Sequence, residues 1–255
     1  MNGQPGIVFL GLARDCAPYL PRLLGWIEDF AAGLEDWAYV FLENDSHDDT
    51  ASLLRAFDEK HRRGIVETLP ALEQKLKLRT ERLAWLRNRA LDHVWNDPRL
   101  SALPFALILD MDEMIGVFPK HRLQQHIADW PASHAALFAN RTRCYYDVWA
   151  LRHAERSPDD CWARVRQRPR WMPEFVAVYL FVRMRQKPWP PGARFIEVES
   201  AFGGLGLYRL ALIEGCRYRG LDGEGREVCE HVAFHRQIRA KGLKLAIDTA
   251  MYTDS

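Results

Sequence analysis

The chain has 255 residues, with 35 Lys and Arg against 34 Asp and Glu, for a formal net charge of +1. That balance leaves no general basic surplus for a nucleic-acid partner, and 48% hydrophobic with 27% charged residues is the make-up of a folded globular protein. The five cysteines, Cys16, Cys144, Cys161, Cys216 and Cys229, form no CxxC pair, which fits reduced thiols in a cytosolic protein without structural zinc.

The opening "MNGQPGIVFLGLARD" lacks a charged n-region, and Gly11 and Arg14 interrupt its apolar run, unlike a signal peptide. No apolar stretch approaches the roughly 18 residues of a membrane span. "GIVFLGLA" is a buried strand, and Leu20, Leu23, Leu24, Ile27 and Phe30 then recur at helical spacing. "WAYVFLE" is a second strand and "DDTASLLRAFDEKHRR" a helix opened by capping residues. "GIVETL", "RTERLAWLRNRALDHVW" and "FALIL" continue as strand, long helix and strand. This alternation predicts an α/β fold with a mostly parallel sheet covered by helices on both faces.

The second half is less regular. Pro119 opens a helix reaching Trp130. "AALFAN", "TRCYYDVWAL", "EFVAVYLFV" and "RFIEVES" have strand composition, with charged or Pro-rich loops such as "KPWPPG" between them. "EHVAFHRQIRAKG" is a helix and "LKLAIDTAM" a closing strand.

The acids fall at strand ends. "LILDMDE" runs from an apolar strand into Asp110, Asp112 and Glu113. Asp110 and Asp112 are two residues apart, so extended backbone points both carboxylates the same way. Like charges placed together call for a cation, and a hard divalent ion shared with a substrate phosphate is one answer; a helix cap or a solvated loop is the other. "VFLENDSHDDT" repeats the layout with Glu43, Asn44 and Asp45, although acids before a helix also serve as N-caps.

Arg87 lies four residues after Leu83 and four before Leu91, inside an apolar helical stripe, with Arg82 and Asn88 beside it. An inward guanidinium needs a phosphate or carboxylate, so it faces either a ligand or an internal acid. On the last helix His231 and His235 share a face with Phe234 and Ile238, a spacing open to metal ligation or to plain packing. Glu230 opens that helix, where the dipole favours its ionised form, as suits a general base or a simple cap. Gly203 and Gly204 permit a close backbone approach or a tight turn. Tyr145, Tyr146, Asp147, Trp149, Trp162 and Trp171 combine aromatic faces with a carboxylate, a sugar-gripping composition that also describes core aromatics. Arg164, Arg166, Arg168 and Arg170 form a basic cluster, either a solvated face or one suited to an anionic membrane.

Together "LENDSHDDT", "RLAWLRNRAL", "LILDMDE", "SAFGGLGLYR" and "CEHVAFH" resemble, in order, the motifs of nucleotide-sugar-dependent glycosyltransferases of the GT-A fold. Within that fold the chain looks most like bacterial transferases related to the fungal capsule mannosyltransferases. The resemblance implies a single GT-A domain over 1–255, with a nucleotide-sugar half at 1–118 and an acceptor half, including a smaller β region, at 119–255. It implies a hexosyltransferase moving sugar from a UDP- or GDP-sugar to a glycan or lipid-linked acceptor. Arg14, Glu43, Asp45, Arg82, Arg87, Asn88, Asp110, Gly203 and Gly204 would border the donor. Asp110 and Asp112 would hold Mn2+ or Mg2+; because "AIDTAMYTDS" lacks the family's C-terminal His, either the ion has fewer protein ligands or another His serves, His235 or His231. Glu230 and His231 would be catalytic. The expected location is cytoplasmic, at or near the inner face of a membrane. Two alternatives stay open. A sugar-phosphate nucleotidyltransferase shares a related sheet, but "FLGLARDC" has few glycines for its first loop. A carbohydrate-binding relative without turnover is the other.

Overall fold

A computed structural model of the protein describes residues 4–112, 116, 118–192 and 194–254; Glu113, grouped with the acids above, lies outside them. The first strand, β1 (Ile7–Ala13), alternates its side chains between two cores. Ile7 and Phe9 face helices α1 (Leu20–Ala31) and α2 (Thr50–His61), through residues such as Leu23, Ile27, Leu54 and Phe57. Val8 and Leu10 face the opposite way, toward Leu86, Ala90 and Val94 of α4 (Arg79–Asn96) and Phe234 and Ile238 of α9 (Glu230–Ala240). A strand covered on both sides must be apolar at every position, which is why β1, β2 (Trp37–Glu43) and β4 (Phe105–Asp110) read as unbroken hydrophobic runs.

The remaining elements are β3 (Ile65–Thr68), β5 (His134–Asn140), β6 (Phe195–Val198), β7 (Leu205–Arg209) and β8 (Lys244–Tyr252), with helices α3 (Leu72–Lys75), α5 (Pro98–Ser101), α6 (Lys120–Ala128), α7 (Cys161–Arg166) and α8 (Glu174–Phe181). All eight strands join one sheet in the order β3-β2-β1-β4-β7-β5-β8-β6. β7 and β6 run against the rest, so the sheet is mostly parallel, as the sequence predicts.

Three stretches differ from expectation. "SAFGGLGLYR", whose glycines suggest a close backbone approach or a tight turn, contains β7, which sits in mid-sheet between β4 and β5. "TRCYYDVWAL" is not a strand but a turn-rich loop, where the Asp147 carboxylate accepts the Ala150 N–H at 3.3 Å, a local bond that competes with strand pairing. "EFVAVYLFV" is helical: α8 follows Pro173 and stands outside the sheet, with no strand to pair its β-branched residues. It packs Ala177 into a small separate core with Val148, Cys161, Val165 and Val182.

Candidate active site

The carboxyl ends of β1, β2 and β4 open on one cleft of about 490 Å³, the crevice where open α/β sheets bind ligands. Arg14 follows β1, Asn44 follows β2, Asp110 ends β4 and Asp112 lies two residues beyond it. Arg79, Arg82 and Arg87 approach from α4, Glu230 and His231 from the start of α9, and Tyr146, Asp147, Trp149 and Phe202 from the loops of the second half.

Asp110 and Asp112 both line this cleft and also a smaller cavity of about 250 Å³ beside Tyr19 and Arg22, while Met111 between them is buried. Asp110 donates its N–H to the Gly204 carbonyl at 2.8 Å and accepts the Tyr146 hydroxyl at 3.3 Å. Burial, then Asp112, pushes its carboxyl up to about 7; Asp147 adds to the rise and Arg87 opposes it. A carboxylate so crowded by negative charge is a place where a cation is favoured.

Arg87 is the centre of the charge network. Its Nε donates to Glu230 Oε1 at 3.0 Å, and its Nη2 is 3.9 Å from Asp110 Oδ1. The guanidinium lies over the rings of Phe202 at 5.1 Å and Tyr218 at 5.7 Å. Only 10% of the Arg87 side chain and 7% of Glu230 are exposed. Burial alone would lower the Arg87 pKa, but Glu230, Tyr218 and Asp110 hold it above its usual value. Of the two readings of an inward Arg, the internal acid pair is therefore present, although Arg87 also borders the cleft.

His231 is buried and stacks on Phe202 with centroids 4.2 Å apart. Neither of its ring nitrogens has a hydrogen-bond partner among the described residues. Burial, with Arg87 and His235 nearby, keeps its pKa well below the usual value, so the ring is neutral and its 3.7 Å approach to Glu230 is not an ion pair. His235 is a correction. The expected metal ligand does not line the cleft; Ser200 Oγ lies 2.8 Å from its Nδ1 and Tyr208 Oη 2.9 Å from its Nε2, so both nitrogens are occupied in the core.

Other expected donor contacts are redistributed. Asn88 turns from the cleft: its amide donates to the Tyr218 carbonyl and accepts the Tyr218 N–H, both at 2.9 Å. Glu43 is buried and accepts the Ser46 N–H at 2.8 Å. Asp45, at φ 53°, accepts from the Asn44 amide at 3.0 Å and the Glu73 N–H at 2.8 Å. Asn44, rather than either acid, reaches the cleft wall. Arg14 pairs with Glu73 at 2.6 Å, while Arg82 donates to the Leu76 carbonyl at 2.7 Å and lies 3.5 Å from Glu73. Gly203 and Gly204 have φ of 68° and 87°, where a side chain is disfavoured. A Cβ on Gly203 would stand 2.8 Å from the Ala139 carbonyl.

Asp147, grouped in the sequence with sugar-gripping or core aromatics, is the one carboxylate of that group. It lines the cleft, accepts the Gly203 N–H at 3.2 Å, and is raised in pKa by burial. Its signal was present in "YYDVW", a carboxylate among aromatics, but Gly203 lies 56 residues away.

Among the described residues no cluster of three or more His, Cys, Asp or Glu is arranged to hold a metal alone. The pair Asp110 and Asp112 fits an ion of the Mg2+ or Mn2+ type, which commonly combines one or two carboxylates with substrate phosphate oxygens.

No family model and no curated protein matches the chain. Its fold is similar to solved glycosyltransferase structures of the GT-A class. A Pyrobaculum calidifontis mannosyltransferase in complex with GDP-Man and Mn2+ aligns with a TM-score of 0.51 and 15% identity, covering 96% of this chain and 57% of that one. S. aureus TarS aligns at 0.56 and 13%, covering 98% and 37%. TarS residues 1–349 with UDP-GlcNAc align at 0.51 and 12%, covering 97% and 57%. The chain thus spans little more than half of these proteins at most, and the likeness is one of fold.

Proposed function

We propose that the protein is a glycosyltransferase moving a sugar from a nucleoside diphosphate sugar to an acceptor hydroxyl. The observation that carries this reading is the convergence of Asp110, Asp112, Arg14, Arg82, Arg87 and Glu230 on one cleft at the carboxyl ends of parallel strands. The arginines suit the diphosphate, and the carboxylates suit an ion and an acceptor proton. That the Pyrobaculum mannosyltransferase was solved with GDP-Man and Mn2+, and TarS with UDP-GlcNAc, supports a donor of this class. The narrower kinship with the fungal capsule mannosyltransferases rests on the motifs alone, and a glycan or lipid-linked acceptor on the resemblance.

In this mechanism Asp110 and Asp112 would hold Mn2+ or Mg2+, whose charge would stabilise the departing nucleoside diphosphate. Arg14 and Arg82, released from Glu73, take the remaining phosphate oxygens. Glu230 accepts the proton of the acceptor hydroxyl, a contribution of about 10²–10⁴-fold; Arg87, 3.0 Å away, holds it in place. His231, neutral and stacked on Phe202 at the cleft wall, backs Glu230 and shapes the acceptor side. Asp147 grips sugar hydroxyls against Tyr146 and Trp149.

The test is calorimetric titration of UDP and GDP with and without Mn2+. Asp112→Asn alters an exposed side chain and leaves the fold intact, so metal-dependent nucleotide binding should disappear while the melting temperature holds. Unchanged metal-dependent binding in this variant would remove the metal assignment.

A further inference from the structure

The segment from Arg164 to Lys187 departs from ordinary burial more than any other part of the described surface. After Glu174, helix α8 reads Phe-Val-Ala-Val-Tyr-Leu-Phe, apolar on every side, yet Ala177 is its one buried residue. Trp171 is 79% exposed, Phe175 75% and Tyr179 61%, spaced four apart along the chain. With Leu180 and Met184 they make five of the nine large hydrophobic residues exposed on the described surface, gathered within fourteen positions. A contiguous apolar face of this kind marks an interaction site, and a helix apolar all round belongs in an apolar medium.

The surrounding charge identifies the partner. Between 164 and 187 there are seven Lys and Arg and one acid, in a chain of net charge +1. Asp159 offsets Arg164 and Arg185, and Glu174 pairs with Arg168. Arg166, Arg170, Arg183 and Lys187 make no ion pair among the described residues. Helix α7 carries Arg164 over the Phe181 ring at 5.2 Å, so cations and apolar groups share one face. A second copy of this chain would set like charge against like. An anionic bilayer matches both components: phosphates for the guanidinium groups, acyl chains for Phe175 and Leu180, and the boundary between them for Trp171 and Tyr179. No helix among the described residues is long and apolar enough to cross a membrane, so the face lies on the surface.

We propose that Trp171, Phe175 and Tyr179, ringed by Arg166, Arg170 and Arg183, seat the protein on an anionic phospholipid surface. The proposal does not depend on the transfer reaction, although Trp149 of the cleft packs against the same small core as α8, so the seated face adjoins the cleft.

Co-sedimentation with phosphatidylglycerol-containing vesicles tests it, against pure phosphatidylcholine vesicles and at 0.1 and 0.5 M NaCl. Binding should be about tenfold or more tighter to the anionic vesicles, and the higher salt should weaken it several-fold. Trp171→Ser with Phe175→Ser should lower binding about tenfold or more with an unchanged melting temperature, because both side chains are exposed. Replacing Arg166, Arg170 and Arg183 by Gln should abolish the preference for anionic vesicles. No binding to either vesicle, or equal binding to both, overturns the proposal. A dimer in solution that the Trp171 and Phe175 substitutions dissociate, without vesicle affinity, would give the face to a second copy and overturn it too.

Discussion

Replacing Arg87 with Met keeps most of the side-chain volume and removes its charge. Glu230 would then lose its 3.0 Å partner and Asp110 the cation 3.9 Å away. Removing one member of a buried pair costs about 3–5 kcal/mol, and losing the guanidinium over Phe202 and Tyr218 adds about 0.5–1 kcal/mol. Both acids border a cleft that water enters, which places the total near the lower end, about 3 kcal/mol. For a domain of this size that is a fall in melting temperature of about 6–12 °C. The assay is a double-mutant cycle by urea unfolding with Arg87→Met, Glu230→Gln and both together. The double variant should be more stable than the sum of the singles predicts by about 1.5 kcal/mol or more, since neither charge is then left alone. Additive single costs, or an Arg87→Met variant within about 0.5 kcal/mol of the parent, would refute the network as a structural element.

Three further outcomes follow from the same geometry. Glu230→Gln should lower turnover about a hundredfold or more while nucleotide affinity holds within about threefold; near-normal turnover, with Asp147→Asn folded and inactive, would pass the proton to Asp147, whose carboxyl burial raises. Arg82→Ala should weaken nucleotide binding about tenfold, whereas Glu73→Gln, which frees Arg14 and Arg82, should leave it equal or tighter, as titration calorimetry would read. Asp248 is fully buried between Arg122 at 2.5 Å and His126 at 2.6 Å. Burial alone would raise its carboxyl, but hydrogen bonds from His126 and Arg122 hold it below the usual range. A depressed folded pKa contributes stability that is present above the unfolded value, about 4, and lost as pH falls through the folded value. Asp248→Asn should therefore cost about 3 kcal/mol at pH 7, with the gap to the parent closing as unfolding is measured at progressively lower pH below about 4.

What the sequence discloses follows from how local each cause is. β1, β2 and β4 are legible because strands covered on both faces are apolar at every position. Asp110 and Asp112 are legible because a charge pair at such a strand's end contrasts with its core. Arg87 stands out by its place in an apolar stripe, but Glu230, its partner, is 143 residues away and no spacing rule connects them. β7 escapes notice because Gly203, Gly204 and Gly206 give its flank the composition of a turn, while its pairing with β4 and β5 is set by distant chain. α8 is misread for a different reason. Its Val, Tyr and Phe content suggests a sheet-buried strand, whereas its apolar side chains largely face solvent, so the usual link from hydrophobicity to burial fails there. His235 shares the apolar face of its helix as predicted, and it is the hydroxyls of Ser200 and Tyr208, invisible in the helix pattern, that settle it in the core.

The central claim is the transfer of a sugar from a nucleoside diphosphate donor, and the most direct measurement is product release. UDP-, GDP- and CDP-sugars are incubated with the protein and Mn2+ and the nucleotide products separated. Release of a nucleoside diphosphate is expected from at least one donor, lost on chelation and lost in Asp110→Asn and Asp112→Asn. Release of pyrophosphate from a nucleoside triphosphate and a sugar 1-phosphate, with no diphosphate formed from any donor, would contradict that claim and identify a nucleotidyltransferase instead.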